Sequence, residues 1–213
     1  MQNTATLFLN APLPPEQIMN SLLQKIDNSY IICADGGYIY AKELPLNIDM
    51  VIGDLDTVNE KKITIHADVE IVNKPSQDLN DFEKALIWLK DKGFKKIILF
   101  GLTGERTDHV LANLSVLSRY LPYFEFEIYG QEAKVYFLSG ENDFLEFTSK
   151  SGCAISLIAL TKAHGITSSG LKYPLNNMSL EWGIKEGSSN EAVQQNIQIR
   201  IDSGVLAVFE NYL

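Results

Sequence analysis

From residue 5 to residue 120 short apolar runs alternate with stretches of helical periodicity, and after Gly140 the helices stop. Residues 5–10, 30–34, 48–52, 69–72 and 95–100 read as strands, since each is a short run rich in Val, Ile, Leu, Phe or Tyr. Between them, residues 15–26, 38–43, 80–92 and 108–120 carry apolar side chains at helical spacing. Pro15 opens the first of these helices, where a missing N–H costs nothing, and Gly93 stops the third. Strand and helix in alternation predict a mainly parallel α/β sheet, Rossmann-like, with helices on its faces.

Residues 124–129 and 133–138 read as two more strands. Beyond Gly140 come strand-like runs at 144–147, 153–160, 165–169, 196–201 and 205–210, separated by Gly, Ser and Asn. That pattern predicts a small β-sandwich. The change falls between Glu132 and Gly140, which divides the chain into an α/β domain, 1–135, and a β-sandwich domain, 136–213.

The chain has 213 residues, 46% of them hydrophobic and 21% charged, enough apolar side chains for a well-buried core. Its net charge of −9 repels nucleic acid and anionic membrane surfaces. Any phosphate it binds must therefore be held by local groups or through a cation. The two cysteines, Cys33 and Cys153, lie inside apolar runs and read as free buried thiols, which suits a reducing compartment. No basic stretch leads into a long apolar one at the N-terminus, and no window is apolar enough to span a bilayer. The expected location is the cytoplasm.

Chemistry collects where strands end. The run 48–52 stops at Gly53 and delivers Asp54 and Asp56. On extended backbone, side chains two apart point the same way, so both carboxylates would face one side. Paired carboxylates suit Mg²⁺, which takes one or two of them and completes its shell with water and substrate phosphates. A solvated Asp-rich turn is the plainer alternative. Asp78 and Asp81 form a second acidic pair after the next strand, preceded by Lys74. Acid at a helix start also caps amides and complements the dipole, so a purely structural role competes here as well.

Two glycine-bearing turns complete the set. Asp35-Gly36-Gly37 follows the second strand, where glycines let backbone approach a ligand closely, although tight turns use the same residues. Gly101-Leu102-Thr103-Gly104-Glu105-Arg106-Thr107-Asp108-His109 links the fifth strand to a helix, a layout that aims amides and a positive dipole end at an anion. It lacks the Gly-Lys-Ser/Thr ending of a Walker loop. Arg106 supplies a forked donor for phosphate oxygens. His109 reads as a ligand, a base, or a hydrogen-bonding neighbour of Asp108.

Together these loops resemble the thiamine pyrophosphokinase family. The matching segments are Ala34–Gly37, Gly53–Thr57, Lys74–Leu86 and Gly101–His109, with Gly170–Leu175 and Gly187–Glu191 resembling the family's vitamin-binding β domain. Their order covers nearly the whole chain. The resemblance implies an enzyme that moves the terminal diphosphate of ATP to the hydroxyethyl oxygen of thiamine, giving thiamine diphosphate and AMP with Mg²⁺. It makes residues 1–135 the catalytic, nucleotide-binding domain and residues 136–213 the thiamine-binding domain.

It implies that Asp54 and Asp56, with Asp81 and Asp78, hold the metal. Lys74 and Arg106 would contact phosphates, while Asp35, Gly36, Gly37, Thr103 and Gly104 would shape the nucleotide site. Ser189 and Asn190 would lie beside the aminopyrimidine, with Tyr173 or Trp182 stacked on the partly cationic vitamin. Asp108 would orient or deprotonate the thiamine hydroxyl, unless it serves only its own helix start. The family arrangement implied is a homodimer with the active site at the subunit interface.

The chain departs from the commoner family pattern at Leu55 (Phe expected), Thr57 (Ser) and Glu105 (Gly). The first two keep bulk or hydroxyl; Glu105 adds negative charge to a phosphate loop. Two rivals are a pyrophosphokinase acting on another alcohol, such as a hydroxymethyl pterin, and a thiamine or nucleotide sensor without turnover. The Ser189-Asn190 segment argues against the first, and the acidic pairs with Lys74 and Arg106 argue against the second.

Overall fold

The computed structural model describes residues 3–104 and 106–212. The chain divides into two compact units, Met1–Gln131 and Glu132–Leu213. The first unit runs β1 (Thr4–Phe8), α1 (Glu16–Asp27), β2 (Tyr30–Ala34), α2 (Gly37–Ala41), β3 (Met50–Gly53) and α3 (Asp56–Glu60). It continues with β4 (Glu70–Asn73), α4 (Asp81–Asp91), β5 (Lys96–Phe100), α5 (Thr107–Tyr120) and β6 (Glu125–Tyr129).

These strands pair in parallel throughout, in the spatial order β4-β3-β2-β1-β5-β6. A parallel sheet covered on both faces needs strands that are apolar almost without alternation. That is why β1, β3 and β5 are buried along nearly their whole length, whereas β4, at the edge, is mostly exposed. Phe8, Phe100 and Tyr129 stack across three adjacent strands, with ring centroids 5.0 and 5.7 Å apart. α1 turns Met19, Leu22 and Ile26 inward, the three-and-four spacing of one helical face.

The topology decides where a ligand can sit. From β1 the chain builds outward through β2, β3 and β4, then returns to the other side of β1 for β5 and β6. The loops leaving β1 and β5 therefore diverge, and a crevice opens between them at the carboxyl ends of the strands. Gly37 tightens this region from below: a Cβ there would lie 2.1 Å from the Phe8 carbonyl oxygen, so α2 can pack against β1 only with glycine at that position.

The second unit contains β7 (Ala133–Ser139), β8 (Phe144–Thr148), β9 (Ala154–Ala159), β10 (Ala163–Ser169), β11 (Met178–Leu180), β12 (Gly187–Glu191), β13 (Asn196–Arg200) and β14 (Val205–Asn211). They form two antiparallel sheets, β12-β9-β14-β7 and β11-β10-β13-β8. Alternate residues from both, among them Leu138, Ile155, Leu157, Leu206, Val208, Ile166, Ile197 and Ile199, share one core. β11 and β12 lie in a stretch the sequence left unassigned. β12 reads Gly-Ser-Ser-Asn-Glu and carries no apolar signal of its own; it is a strand because it pairs with β9. Among the described residues no helix is long and apolar enough to cross a membrane.

Candidate active site

The crevice predicted by the strand order is a cleft of about 490 Å³. One wall is the loop after β1 with Asn10, and another is Gly101, Leu102 and Gly104 after β5 together with Arg106, His109, Val110 and Asn113. Asp35 at the end of β2, Thr57 and Lys61 from the α3 region, and Asn80 and Asp81 at the start of α4 complete it.

Three carboxylates converge at this edge. Oxygens of Asp35, Asp54 and Asp81 all lie within 4.8 Å of one another. Each is put there by a different strand end. Asp35 follows β2 and is only 5% exposed. Its two oxygens accept from the backbone N–H groups of Thr57 (3.1 Å) and Val58 (3.4 Å), the second and third residues of α3. It therefore caps a helix that has no side-chain cap of its own. Asp54 follows β3 and accepts from Gln77 Nε2 at 3.1 Å.

Asp81 opens α4, whose N-cap Asn80 accepts from the Glu83 N–H at 2.9 Å. The Asp54 N–H donates to Asp81 Oδ1 at 3.3 Å across Gly53, where φ is +150° and a Cβ would lie 2.9 Å from that oxygen. Gly53 is what lets the two acidic loops meet. Lys84, one turn into α4, donates to Asp81 Oδ1 at 2.8 Å and lies 3.8 Å from Asp54 Oδ2. Burial pushes the Asp81 carboxyl above its usual range, and the neighbouring Asp54 and Asp35 charges add to this, while Lys84 opposes it. An all-oxygen, all-carboxylate set at this separation fits a hard divalent cation such as Mg²⁺.

Asp56 and Asp78 lie outside this group. The expectation that Asp54 and Asp56 face one side assumed extended backbone, but the strand ends at Gly53, Leu55 is left-handed at φ +66°, and Asp56 begins α3. Asp56 is exposed, with its N–H donating to Asp54 Oδ1 at 3.2 Å. Asp78 is exposed and accepts from Ser76 Oγ at 2.9 Å. The missed member was Asp35, read from sequence as part of a backbone turn. Its signal was its position, directly after a buried strand and next in the sheet to the strand carrying Asp54.

The remaining predicted residues divide between the cleft and its surroundings. Arg106 lines the cleft but presents Nε and Nη2 to Asp108, at 3.2 and 2.6 Å. The hydrogen bond from Arg106 holds the Asp108 carboxyl below the usual carboxylate range. Lys74 is exposed, and its N–H continues the β3–β4 ladder to the Gly53 carbonyl at 2.7 Å. Gly104 lines the cleft and Thr103 is half-buried beside it, while Glu105 lies outside the described residues. Gly36 is crowded by the Asn10 side chain and Gly37 by Phe8, so protein packing already accounts for both glycines. Asn10 and Lys61 are cleft residues that carried no motif in the sequence.

In the second unit, Tyr173 is 64% and Trp182 58% exposed. Asn190 is buried and binds the Tyr173 backbone twice: Oδ1 accepts from its N–H at 3.0 Å and Nδ2 donates to its carbonyl at 2.7 Å. Ser189 stands beside it at φ +59°, its N–H on Ser156 Oγ at 3.1 Å.

Comparison with known proteins matches residues 22–129 to the family described as "Thiamin pyrophosphokinase, catalytic domain". Residues 145–206 match "Thiamin pyrophosphokinase, vitamin B1 binding domain". The chain belongs to the thiamine pyrophosphokinase family. Thiamine pyrophosphokinase of Bacillus subtilis is 27% identical over 192 residues, covering 87% of this chain and 85% of that protein. Thiamin pyrophosphokinase 1 of Caenorhabditis elegans is 27% identical over 178 residues, covering 76% and 69%. The crystal structure of the Bacillus subtilis thiamine pyrophosphokinase superposes with a TM-score of 0.80 at 23% identity, covering 99% of both chains. That of thiamin pyrophosphokinase from Candida albicans gives 0.79 at 19% identity, covering 98% of this chain and 90% of the other. At these identities the superpositions establish the fold. The three carboxylates fall within the segment matched to the catalytic domain.

Proposed function

We propose that this chain is a Mg²⁺-dependent thiamine pyrophosphokinase, transferring the terminal diphosphate of ATP to the hydroxyethyl oxygen of thiamine and releasing AMP. The observation that carries this reading is the match of its two segments, in order, to the catalytic and vitamin-binding domains of one family. We read the parallel unit as Rossmann-like, catalytic and nucleotide-binding, and the β-sandwich as the thiamine-binding domain.

Asp35, Asp54 and Asp81 are the residues to hold Mg²⁺, whose chemistry here is to neutralise charge building on the phosphate oxygens. Asp56 and Asp78, exposed on the same loops, are the ligands assigned second. Arg106 exchanges its Asp108 partner for a phosphate oxygen, and Lys74 supplies a second cation. Thr103 and Gly104 shape the nucleotide site with the Asp35-Gly36-Gly37 turn. Once Arg106 turns to phosphate, Asp108 regains an ordinary carboxylate and serves the thiamine hydroxyl as orienting group or base.

Tyr173 and Trp182 present exposed rings to the vitamin, and Ser189 a hydroxyl. Asn190, through its two bonds to the Tyr173 backbone, holds that ring's loop in place. The protein is assigned to the cytoplasm and acts as a homodimer whose active site lies at the subunit interface.

The test mixes purified protein with ATP, Mg²⁺ and thiamine and measures products by chromatography. Equal amounts of AMP and thiamine diphosphate support the reading. AMP without thiamine diphosphate points to hydrolysis or another acceptor, and tight thiamine binding without AMP points to a sensor.

A further inference from the structure

Lys84 occupies a place where a lysine is costly. Its side chain is 6% exposed, on the face of α4 that also presents Asp81 three residues earlier. A buried ammonium without partners is strongly unfavourable, so the position requires the carboxylates around it. The dependence is mutual. Oxygens from three carboxylates lie within 4.8 Å of one another, and like charges so close repel strongly in a partly desolvated site. The ammonium lies 2.8 Å from an Asp81 oxygen and 3.8 Å from an Asp54 oxygen, beside the Asp54 N–H that also donates to Asp81. It also cancels one of the three negative charges.

We propose that Lys84 is a positioning residue that, by lowering the charge of the Asp54–Asp81 pair in the metal-free protein, makes a divalent cation bind well only together with a phosphate chain. The inference rests on the site reading above. With all three charges uncompensated, the group would attract a resident cation on its own. With Lys84 inside it, the group falls short until phosphate oxygens add theirs, the shared coordination that Mg²⁺ favours. Metal and nucleotide are then taken up as one unit, against carboxylates already in place.

Titration of Mn²⁺ into the nucleotide-free protein, followed by electron paramagnetic resonance, tests this directly. Lys84→Met, which keeps most of the stem and removes the charge, should bind Mn²⁺ at least about tenfold more tightly than wild type. Lys84→Arg, which keeps the charge, should stay within about threefold of wild type. A folded Lys84→Met protein that binds Mn²⁺ no more tightly than wild type overturns the proposal.

Lys84→Gln, whose amide can still donate to Asp81, provides a second variant, needed if Lys84→Met does not fold. Mg²⁺ without nucleotide should raise its melting temperature by more than it raises that of wild type. An equal or smaller rise overturns the proposal. Neither measurement uses thiamine or turnover, so failure of the proposed activity and failure of this inference are distinguishable.

Discussion

At the residue scale the site is an exercise in holding like charges apart from solvent but close to each other. Asp35 achieves this with two backbone amides of α3, Asp81 with the Asp54 N–H and Lys84, and Asp54 with Gln77. Asp56 has no such support: it is exposed at the start of α3. Replacing its carboxylate should therefore leave stability unchanged while removing a ligand proposed for the metal. Asp56→Asn is expected to lower Mg²⁺-dependent turnover by about a hundredfold or more, with an unaltered melting temperature. Steady-state rates across a Mg²⁺ series, with a thermal melt of each protein, check this. Near-normal turnover at low Mg²⁺ would remove Asp56 from the metal site.

Two element-scale contacts set the frame that carries those residues. α2 approaches β1 so closely that Gly37 faces the Phe8 carbonyl, backbone against backbone, with no flexible side chain to yield. Gly37→Ala should cost about 1–3 kcal/mol in denaturant unfolding, and should weaken nucleotide binding through the neighbouring Asp35. Farther along the sheet, Glu127 of β6 is gripped by Lys25 of α1 and Lys96 of β5. Burial alone would raise its carboxyl, but hydrogen bonds from these lysines bring it below its usual value of 4.5. A carboxyl depressed on folding contributes stability above its unfolded value, and that contribution is lost as pH falls through the folded one. The melting temperatures of wild type and Glu127→Gln should therefore differ most near neutral pH and converge below about pH 4.5. Melts across an acid series measure it, and a gap that stays constant into acid would mean that the lysines do not act through charge.

For the whole molecule, the proposed homodimer joins the nucleotide loops of one subunit to the β-sandwich of another. Mixing two inactive variants tests that arrangement. Asp81→Asn is expected to disable the first unit's part of the site and Tyr173→Ala the second's. In a dimer whose sites are built from both subunits, each mixed pair keeps one intact site. Co-expression of equal amounts should restore roughly a quarter of wild-type activity, because half the dimers are mixed and each has one working site of two. No recovery would place both units of a working site in one chain.

Apart from the short α3, the run of strands and helices through residue 120, the loss of helices after Gly140, and the acidic ends of the third and fourth strands were readable in sequence. These features are set by local periodicity and by residues suited to strand ends, so they need no knowledge of neighbours. β12 was not readable, because a polar strand exists only through pairing with β9. The exclusion of Asp56 from the carboxylate group hung on one left-handed residue, Leu55, which ends the extended backbone. The inclusion of Asp35 and Lys84 depended on parallel register placing β2 beside β3, and α4 over their ends. Sequence by itself determined which residues stand at the edge of the sheet; tertiary structure alone decided which of them meet, because the separation of charges on different strands is a property of packing and not of spacing along the chain.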